Sequence, residues 1–173
     1  ARGGVGEVVE YQANVIASVL AERLSGSYKM LHLPDGLSQD SLHMLMTCEP
    51  QIKEIGDLIS RTDVLLFGIG TAMRMADQRH IADDVRKQLI DNHAVGEALG
   101  QYCDIEGKLI YSTNNIGLSL PDVVKVPNVI AVAGGQEKAN AIIGVMRACQ
   151  KGILIIDEQA AEGMRQLLQI SAL

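Results

Sequence analysis

The chain has 173 residues, of which 47% are hydrophobic and 21% charged, as is typical of a globular protein with one buried core. Only 3% of the residues are aromatic, so we expect an aliphatic core. The net charge of -6 and a pI near 5.1 argue against direct binding of nucleic acid, because phosphate backbones are held mainly by clustered Lys and Arg.

Short apolar runs alternate along the chain with amphipathic stretches. The runs predict strands at Lys29–Leu33, Val64–Gly68, Leu109–Ser112, Val129–Ala133 and Ile153–Asp157. Apolar residues at helical spacing form three stripes: Val9, Ala13, Ile16 and Leu20; Ile142, Val145, Met146 and Cys149; and Ala161, Met164, Leu167 and Leu168. This alternation predicts an α/β fold, with a Rossmann-like parallel sheet and helices on both of its faces.

Two further segments complete the predicted elements. The segment from Ser41 to His93 is expected to be mostly helical and to be broken by one strand. Ile105-Glu106-Gly107 predicts a hairpin turn between Tyr102–Asp104 and Lys108–Tyr111, at the border of the sheet. A second turn is predicted at Pro34-Asp35-Gly36.

The cysteines and histidines give no metal-binding pattern. Cys48, Cys103 and Cys149 are widely spaced and form no CxxC pair, so we interpret them as small buried residues in a reducing cytoplasm. The four histidines lack the spacing of metal ligands. No apolar run approaches the roughly 18 residues of a membrane helix. We therefore expect a cytoplasmic protein with no metal, no cofactor and no membrane contact.

The strongest candidate site is Gly134-Gly135-Gln136-Glu137-Lys138, which follows the predicted strand Val129–Ala133. Two glycines let the backbone turn sharply and approach a ligand closely. The helix that follows directs unpaired N–H groups and the positive end of its dipole to the same place. Lys138 adds a positive charge, and the combination suits a phosphate. The alternative is an ordinary strand-to-helix turn with a solvated lysine.

Two other glycine-rich turns precede predicted helices. Phe67-Gly68-Ile69-Gly70-Thr71 follows a strand, but a dinucleotide fingerprint needs glycine where this chain has Met73, which disfavours NAD binding. Arg2-Gly3-Gly4-Val5-Gly6 opens the first helix, and Arg2 could supply a bidentate contact to an anion. Gln12 lies on an apolar stripe of that helix, either as a satisfied core residue or as a ligand contact.

Isolated charged residues are less informative. Taken singly, Arg79 and Glu97 are interpreted as surface charges in the helical middle of the chain. We expect Asp157 to cap the last helix and Asp83-Asp84 to form the acidic first turn of another. The sequence has neither a Gly-x-Ser-x-Gly elbow nor a Cys–His signature of nucleophilic catalysis.

Several stretches together resemble the effector-binding domain of the SorC family of bacterial transcriptional regulators. The matching stretches are Ala1-Arg2-Gly3-Gly4-Val5-Gly6, Gln12-Ala13-Asn14, Ser25-Gly26-Ser27-Tyr28, Gly68-Ile69-Gly70, Gly96-Glu97-Ala98, Ile130-Ala131-Val132-Ala133-Gly134-Gly135, Lys138-Ala139 and Ile156-Asp157-Glu158-Gln159-Ala160-Ala161. The similarity spans nearly the whole chain. It implies one effector-binding domain over residues 1–173, similar in fold to sugar-phosphate isomerases and glucosamine-6-phosphate deaminases.

The resemblance also implies a function. It points to a repressor of glycolytic genes that binds fructose-1,6-bisphosphate, fructose-6-phosphate, glucose-6-phosphate or dihydroxyacetone phosphate. The sugar phosphate would change how dimers or tetramers assemble on operator DNA, which a separate domain contacts. Arg2 and Lys138 would face phosphate groups, whereas Gln12 and Glu97 would hold sugar hydroxyls. The implied ligand-binding set is Arg2, Gln12, Arg79, Glu97, Gly134, Gly135, Gln136 and Lys138.

Two features of the family are expected upstream of this segment: a helix-turn-helix domain and a further Gly-Thr-rich phosphate loop. The loop at Gly134–Lys138 would then be about half of the site. The alternative function is an enzyme, a sugar-phosphate isomerase or deaminase of the same architecture, in which Glu97 or Asp157 would act as general base. A nucleotide-binding module is disfavoured by Met73.

Overall fold

The computed structural model describes residues 12–31, 33 and 37–169. Its helices are α1 (Ala13–Arg23), α2 (Gln39–Cys48), α3 (Pro50–Ser60), α4 (Ala72–Gln78), α5 (Asp83–Asp91), α6 (Ala139–Cys149) and α7 (Glu158–Leu167). Its strands are β1 (Val64–Gly68), β2 (Gly70–Thr71), β3 (Gly96–Ala98), β4 (Gln101–Cys103), β5 (Leu109–Ser112), β6 (Asn128–Ala133) and β7 (Ile153–Ile156). Short 3₁₀ helices occupy Pro121–Lys125 and Gln136–Lys138.

The chain divides into two compact units. The smaller unit falls within residues 1–61 and 113–117, and the larger unit within residues 62–112 and 118–173. The smaller unit contains α1, α2 and α3, and the larger unit contains every strand and the remaining helices.

The parallel sheet of the larger unit consists of β1, β6 and β7, with β6 in the centre. Phe67 lies opposite Ala131, which lies opposite Leu154 on the other side. This sheet and its flanking helices confirm the predicted α/β fold. The strand predicted at Val64–Gly68 has the expected bounds, and those predicted at Val129 and Ile153 are right to within one residue.

A second sheet in the larger unit is antiparallel, with the order β2-β3-β4-β5. The predicted hairpin is confirmed as β4 and β5, and Asp104 Oδ1 accepts the N–H groups of Glu106 and Lys108 at its turn. Gly107 has a φ of 84° there, a value that favours glycine. Strand β3 was not predicted, because its three residues are too short to show a period.

Helix α6 lies at the centre of the larger unit's core and contacts β2, β3, β4 and α7. Its predicted apolar stripe is confirmed, since Ile142, Val145 and Cys149 are fully buried and Met146 packs against the same cluster. A Cβ on Gly96 of β3 would lie 2.8 Å from the Ala141 carbonyl oxygen. Glycine at this position therefore brings β3 close to the helix backbone.

The two faces of the parallel sheet differ in burial. Leu65, Phe67 and Leu154 belong to the core cluster that also contains residues of α6 and α7. The opposite face carries exposed apolar side chains, namely Val64, Leu66, Val132, Ile153 and Ile155. Alternation along each strand explains the contrast, because successive side chains point to opposite faces of a sheet.

Helices α2 and α3 pack against each other in the smaller unit. Ser38 Oγ caps α2 by accepting the Ser41 N–H at 3.1 Å, and α3 begins at Pro50, whose missing N–H costs no helical bond there. The segment predicted to be helical from Ser41 to His93 is thus confirmed as α2 to α5, broken by β1 and β2.

The first two predictions in chain order need correction. The strand predicted at Lys29–Leu33 is wrong, since Lys29 and Met30 are irregular and Leu31 forms only an isolated bridge. A lone bridge gives no ladder of hydrogen bonds. In α1, the predicted stripe residues Ile16 and Leu20 are exposed and Asn14 is buried. Three other predictions lie outside the described residues. They are Val9 of the first stripe, the turn at 34–36 and the glycine-rich turn at 2–6.

The stripe predicted for the last helix is confirmed at Met164, which is half-buried against the core cluster, but not at Ala161, which is exposed. Ala160 and Gly163 are buried in α7, whereas Leu167 and Leu168 are exposed. Small side chains form the contact because α7 approaches Gln136 and Ala139 closely: a Cβ on Gly163 would lie 3.0 Å from the Ala139 Cβ. Close approach therefore adds Ala160 and Gly163 to a packed face that also contains Met164.

The cysteines also differ from one another. Cys103 and Cys149 are buried as predicted, and burial raises the pKa of the Cys103 thiol to about 12 and the pKa of the Cys149 thiol to about 11. The prediction is wrong for Cys48, which is exposed on the last turn of α2. Among the described residues, no helix has the length and apolarity to cross a bilayer.

Candidate functional site

The glycine loop, which we define as residues 134–138, joins the carboxyl end of β6 to α6. Gly135 has φ 95° and ψ 138°, a conformation that is essentially limited to glycine. Gly134 has a different role, because a Cβ there would lie 2.7 Å from Oδ2 of Asp157 and would displace the carboxylate. The two glycines thus let the chain turn sharply beside the end of the neighbouring strand β7.

Asp157 contacts the glycine loop from the end of β7. Its Oδ1 accepts the Ala160 N–H at 2.8 Å, which confirms it as the cap of α7. The Gly135 N–H also points at this carboxylate, 2.9 Å from Oδ2 and 3.1 Å from Oδ1. The hydrogen bonds from Ala160 and Gly135, together with the charge of Lys138, lower the pKa of Asp157 below its usual value.

The remaining loop residues surround the start of α6. The 3₁₀ turn Gln136–Lys138 leads directly into the helix, so its amides lie at the positive end of the helix dipole. Lys138 is half-buried, and among the described residues its ammonium group makes no hydrogen bond or ion pair. The Glu137 carboxylate lies against Gly135. The loop therefore presents one available cation and backbone donors beside two acidic side chains.

A second polar cluster, formed by Arg79 and Glu97, is buried in the larger unit. Arg79 Nη2 lies 3.3 Å from Glu97 Oε1, and both side chains are almost fully buried. The same oxygen accepts the Gly100 N–H at 2.6 Å. The prediction that Arg79 and Glu97 are surface charges is therefore wrong. Glu97 lies on β3 and Arg79 follows α4, so the fold pairs two charges that are 18 positions apart.

Strand β2 connects the two clusters. Its Gly70 lies opposite Glu97 in the antiparallel register, and the strand also contacts the 3₁₀ turn Gln136–Lys138. The predicted turn Gly68-Ile69-Gly70 thus lies between the ion pair and the glycine loop, at the carboxyl end of β1. Ligands of open α/β sheets bind at this end of the strands.

Two predicted site residues are not part of the larger unit as the structure describes it. Arg2 lies outside the described residues, and Gln12 belongs to the smaller unit, where it precedes α1 without capping it through its side chain. Asp157, by contrast, was omitted from the predicted site and contacts the loop directly. The signal available in the sequence was its position at the carboxyl end of a predicted strand, where ligands of open α/β sheets bind.

In the part of the chain that the structure describes, the carboxylates of both clusters already accept hydrogen bonds. Glu97 accepts from a guanidinium and an amide, and Asp157 accepts from the amides of Ala160 and Gly135. Within the described ranges, no three His, Cys, Asp or Glu side chains are grouped to hold a metal ion. The arrangement of donors around the loop is better suited to binding an anion than to moving a proton.

These features, a parallel α/β sheet with a glycine loop at its carboxyl end, are those of a ligand-binding domain, and comparison with known proteins identifies its family. Residues 1–166 match the model of the Sugar-bind family of sugar-binding domains. The chain belongs to this family.

Its relatives are transcriptional regulators. The chain is 39% identical to the central glycolytic genes regulator of Bacillus subtilis over 162 residues, covering 94% of this chain and 47% of the relative. The chain thus spans about half the length of the curated relatives it matches.

Solved structures agree with this assignment. A SorC-family transcriptional regulator from Enterococcus faecalis is 41% identical and superposes with a TM-score of 0.83, covering 95% of this chain and 66% of the other. The full-length sorbitol operon regulator SorC from Klebsiella pneumoniae is 22% identical, with a TM-score of 0.76 over 91% of this chain and 52% of the other, and supports the fold alone.

Proposed function

We propose that this chain is the effector-binding part of a bacterial transcriptional repressor of glycolytic genes, and that its effector is a phosphorylated sugar. Fructose-1,6-bisphosphate is the first candidate, followed by fructose-6-phosphate, glucose-6-phosphate and dihydroxyacetone phosphate. The effector would alter oligomerisation, and with it the occupancy of operator DNA by a separate domain. The relatives that control glycolytic genes support this choice.

The observation that carries the proposal is the glycine loop with Lys138. The N–H groups at the start of α6 and the available Lys138 ammonium can together hold a phosphate, because each contributes positive potential at one place. Gly134 and Gly135 let the backbone approach the ligand without a Cβ in the way. Gln136 adds an exposed amide to the same loop.

A second group of residues would hold the sugar part of the effector. Glu97 provides an acceptor for sugar hydroxyls, and Arg79 provides donors for hydroxyl or phosphate oxygens. Strand β2 pairs with the strand of Glu97 and also contacts the 3₁₀ turn of the glycine loop. A site that hydrogen-bonds hydroxyls discriminates strongly against ligands that lack them. We assign Gln12 and Arg2 to the same ligand on the family resemblance.

Calorimetric titration of the protein with the four sugar phosphates tests the function. We expect Lys138→Ala to weaken binding of fructose-1,6-bisphosphate about 10- to 100-fold, the range of one charge-assisted hydrogen bond. Lys87→Ala is the matched control, because Lys87 lies exposed on α5 and loses the same charge. Equal affinities of the two variants would remove the loop from the site.

Two further outcomes bear on the class of function. Absence of binding to all four sugar phosphates would contradict the effector proposal. Turnover of ribose-5-phosphate or glucosamine-6-phosphate would favour an isomerase or deaminase instead. We expect binding without turnover, and a ligand-dependent change in sedimentation, because a ligand that favours one assembly shifts the population towards it.

A further inference from the structure

We propose that Asp157 is a positioning residue of the ligand site, which holds the glycine loop in its binding conformation by accepting the Gly135 N–H. The inference rests on the proposed function for the meaning of the loop, and on the geometry of β7 and α7 for the role of Asp157. It assigns a binding-related task to a residue that contacts the loop and not the ligand.

The hydrogen bonds of the carboxylate are the first support. Both oxygens of Asp157 lie within 3.1 Å of the Gly135 nitrogen, and Oδ1 also accepts the Ala160 N–H. One side chain thus joins the loop to the first turn of α7. A capping aspartate needs only its contact with the helix, so the contact with Gly135 is additional to capping.

The backbone of the loop is the second support. With φ at 95°, Gly135 is fixed in one of the many backbone conformations open to glycine, and glycine loses more backbone freedom on ordering than any other residue. The hydrogen bond from its N–H to Asp157 restrains the backbone at this residue. Gly134 has room for the carboxylate only because it lacks a Cβ, which would lie 2.7 Å from Oδ2.

Helix α7 supplies a second point of attachment. Gly163 packs so closely that a Cβ there would lie 3.1 Å from Gln136 Cγ and 3.2 Å from the Gln136 carbonyl oxygen. The loop is therefore held at two adjacent residues, by Asp157 at Gly135 and by Gly163 of α7 at Gln136. A displacement of α7 would move the residues that lead to Lys138.

Judged by its charge alone, Asp157 would weaken the binding of a phosphate. A carboxylate beside a phosphate site repels the ligand, so removing it should strengthen binding if repulsion dominated. Asp157 is exposed, however, and its charge is screened by water and salt. The charge of Lys138 offsets part of the repulsion and contributes to the lowered pKa of Asp157, after the hydrogen bonds from Ala160 and Gly135. We therefore expect the loss of the Gly135 hydrogen bond to outweigh the relief of repulsion.

The test uses Asp157→Ser, Asp157→Asn and Glu158→Gln in the whole protein. Serine still caps α7 but is too short to reach Gly135, whereas asparagine keeps one acceptor oxygen. Glu158→Gln removes a neighbouring charge from the same first turn and leaves the loop contact intact. We expect Asp157→Ser to weaken fructose-1,6-bisphosphate binding about tenfold, Asp157→Asn to weaken it less, and Glu158→Gln to leave it unchanged or slightly stronger.

A second measurement follows the loop itself. In the unliganded protein, the Gly135 amide should exchange slowly with solvent, and its proton shift should follow the acid titration of Asp157. Exchange should be faster in Asp157→Ser, while the circular dichroism of the helices stays the same. A purely structural cap of α7 would not move the Gly135 amide.

The two measurements separate this inference from the proposed function. If the native protein binds none of the four sugar phosphates, the proposed function fails, and the Gly135 exchange rate still decides whether Asp157 restrains the loop. Unchanged exchange in Asp157→Ser would overturn the positioning role. Native or tighter binding by Asp157→Ser in a folded protein would overturn it as well.

Discussion

Glu97 and Asp157 each hold a glycine turn by accepting its backbone N–H, but in different surroundings. Each carboxylate accepts the N–H of a glycine with positive φ, Gly100 at 81° and Gly135 at 95°. Glu97 is buried and has Arg79 as a partner, whereas Asp157 is exposed and its hydrogen bonds come from backbone amides. A buried charge needs an opposite charge, while water suffices for an exposed one. The contrast shows that burial decides what a carboxylate requires to hold a glycine turn.

The largest expected effect comes from breaking the buried member of this pair. Arg79→Ala leaves the Glu97 carboxylate buried without its cation, and we expect a loss of about 3–5 kcal/mol in the free energy of unfolding. Urea denaturation measures it. Adding Glu97→Gln to Arg79→Ala should recover part of the loss. A decrease below about 1 kcal/mol for Arg79→Ala would mean that the pair behaves as a surface ion pair.

A smaller effect is expected from the glycine of the exposed pair. Gly135→Ala forces a Cβ into a conformation that glycine alone adopts readily, at a cost of about 1–3 kcal/mol. The new Cβ would also meet the flexible Glu137 carboxylate, which can move aside. Gly68→Ala is the matched control, because a Cβ there would lie at an ordinary 3.9 Å from the Val132 carbonyl oxygen. Equal unfolding midpoints for the two variants would contradict the role of φ.

The smallest expected effect concerns pH. Because the pKa of Asp157 is lowered on folding, its contribution to stability is present above the unfolded value near 3.8 and is lost as pH falls through the folded value. The difference in unfolding midpoint between the native protein and Asp157→Asn should therefore be constant near neutral pH and should narrow below about pH 4. A difference that instead narrows between pH 6 and pH 8 would implicate another group.

The sequence predicts the strands of the parallel sheet well for a physical reason. Val64–Gly68 and Val129–Ala133 are continuous apolar runs, and such runs in an alternating pattern have few other solutions. The same reasoning fails at Lys29–Leu33, where a short mixed run forms no ladder. In α7 it fails in part, because closeness of approach selects Ala160 and Gly163, and hydrophobicity does not encode closeness.

The candidate site was predictable in part. The glycine loop and Lys138 follow from local features, since the turn, the helix start and the cation are adjacent in sequence. The Arg79–Glu97 pair does not, because each charge is surrounded locally by residues typical of a surface and acquires its partner only through the fold. Asp157 combines both cases: its capping role was predicted from local sequence, and its contact with Gly135 depends on the pairing of β6 with β7.

The unequal burial of the three cysteines has a practical consequence for labelling. A maleimide reacts with thiolate, so Cys48 on α2 should be modified in the folded protein, whereas Cys103 and Cys149 combine inaccessibility with pKa values of about 12 and about 11. A fluorophore can then be attached at one defined position without mutagenesis. The labelling rates of Cys103 and Cys149 then measure how often the core opens, since each thiol reacts only when the chain around it unfolds.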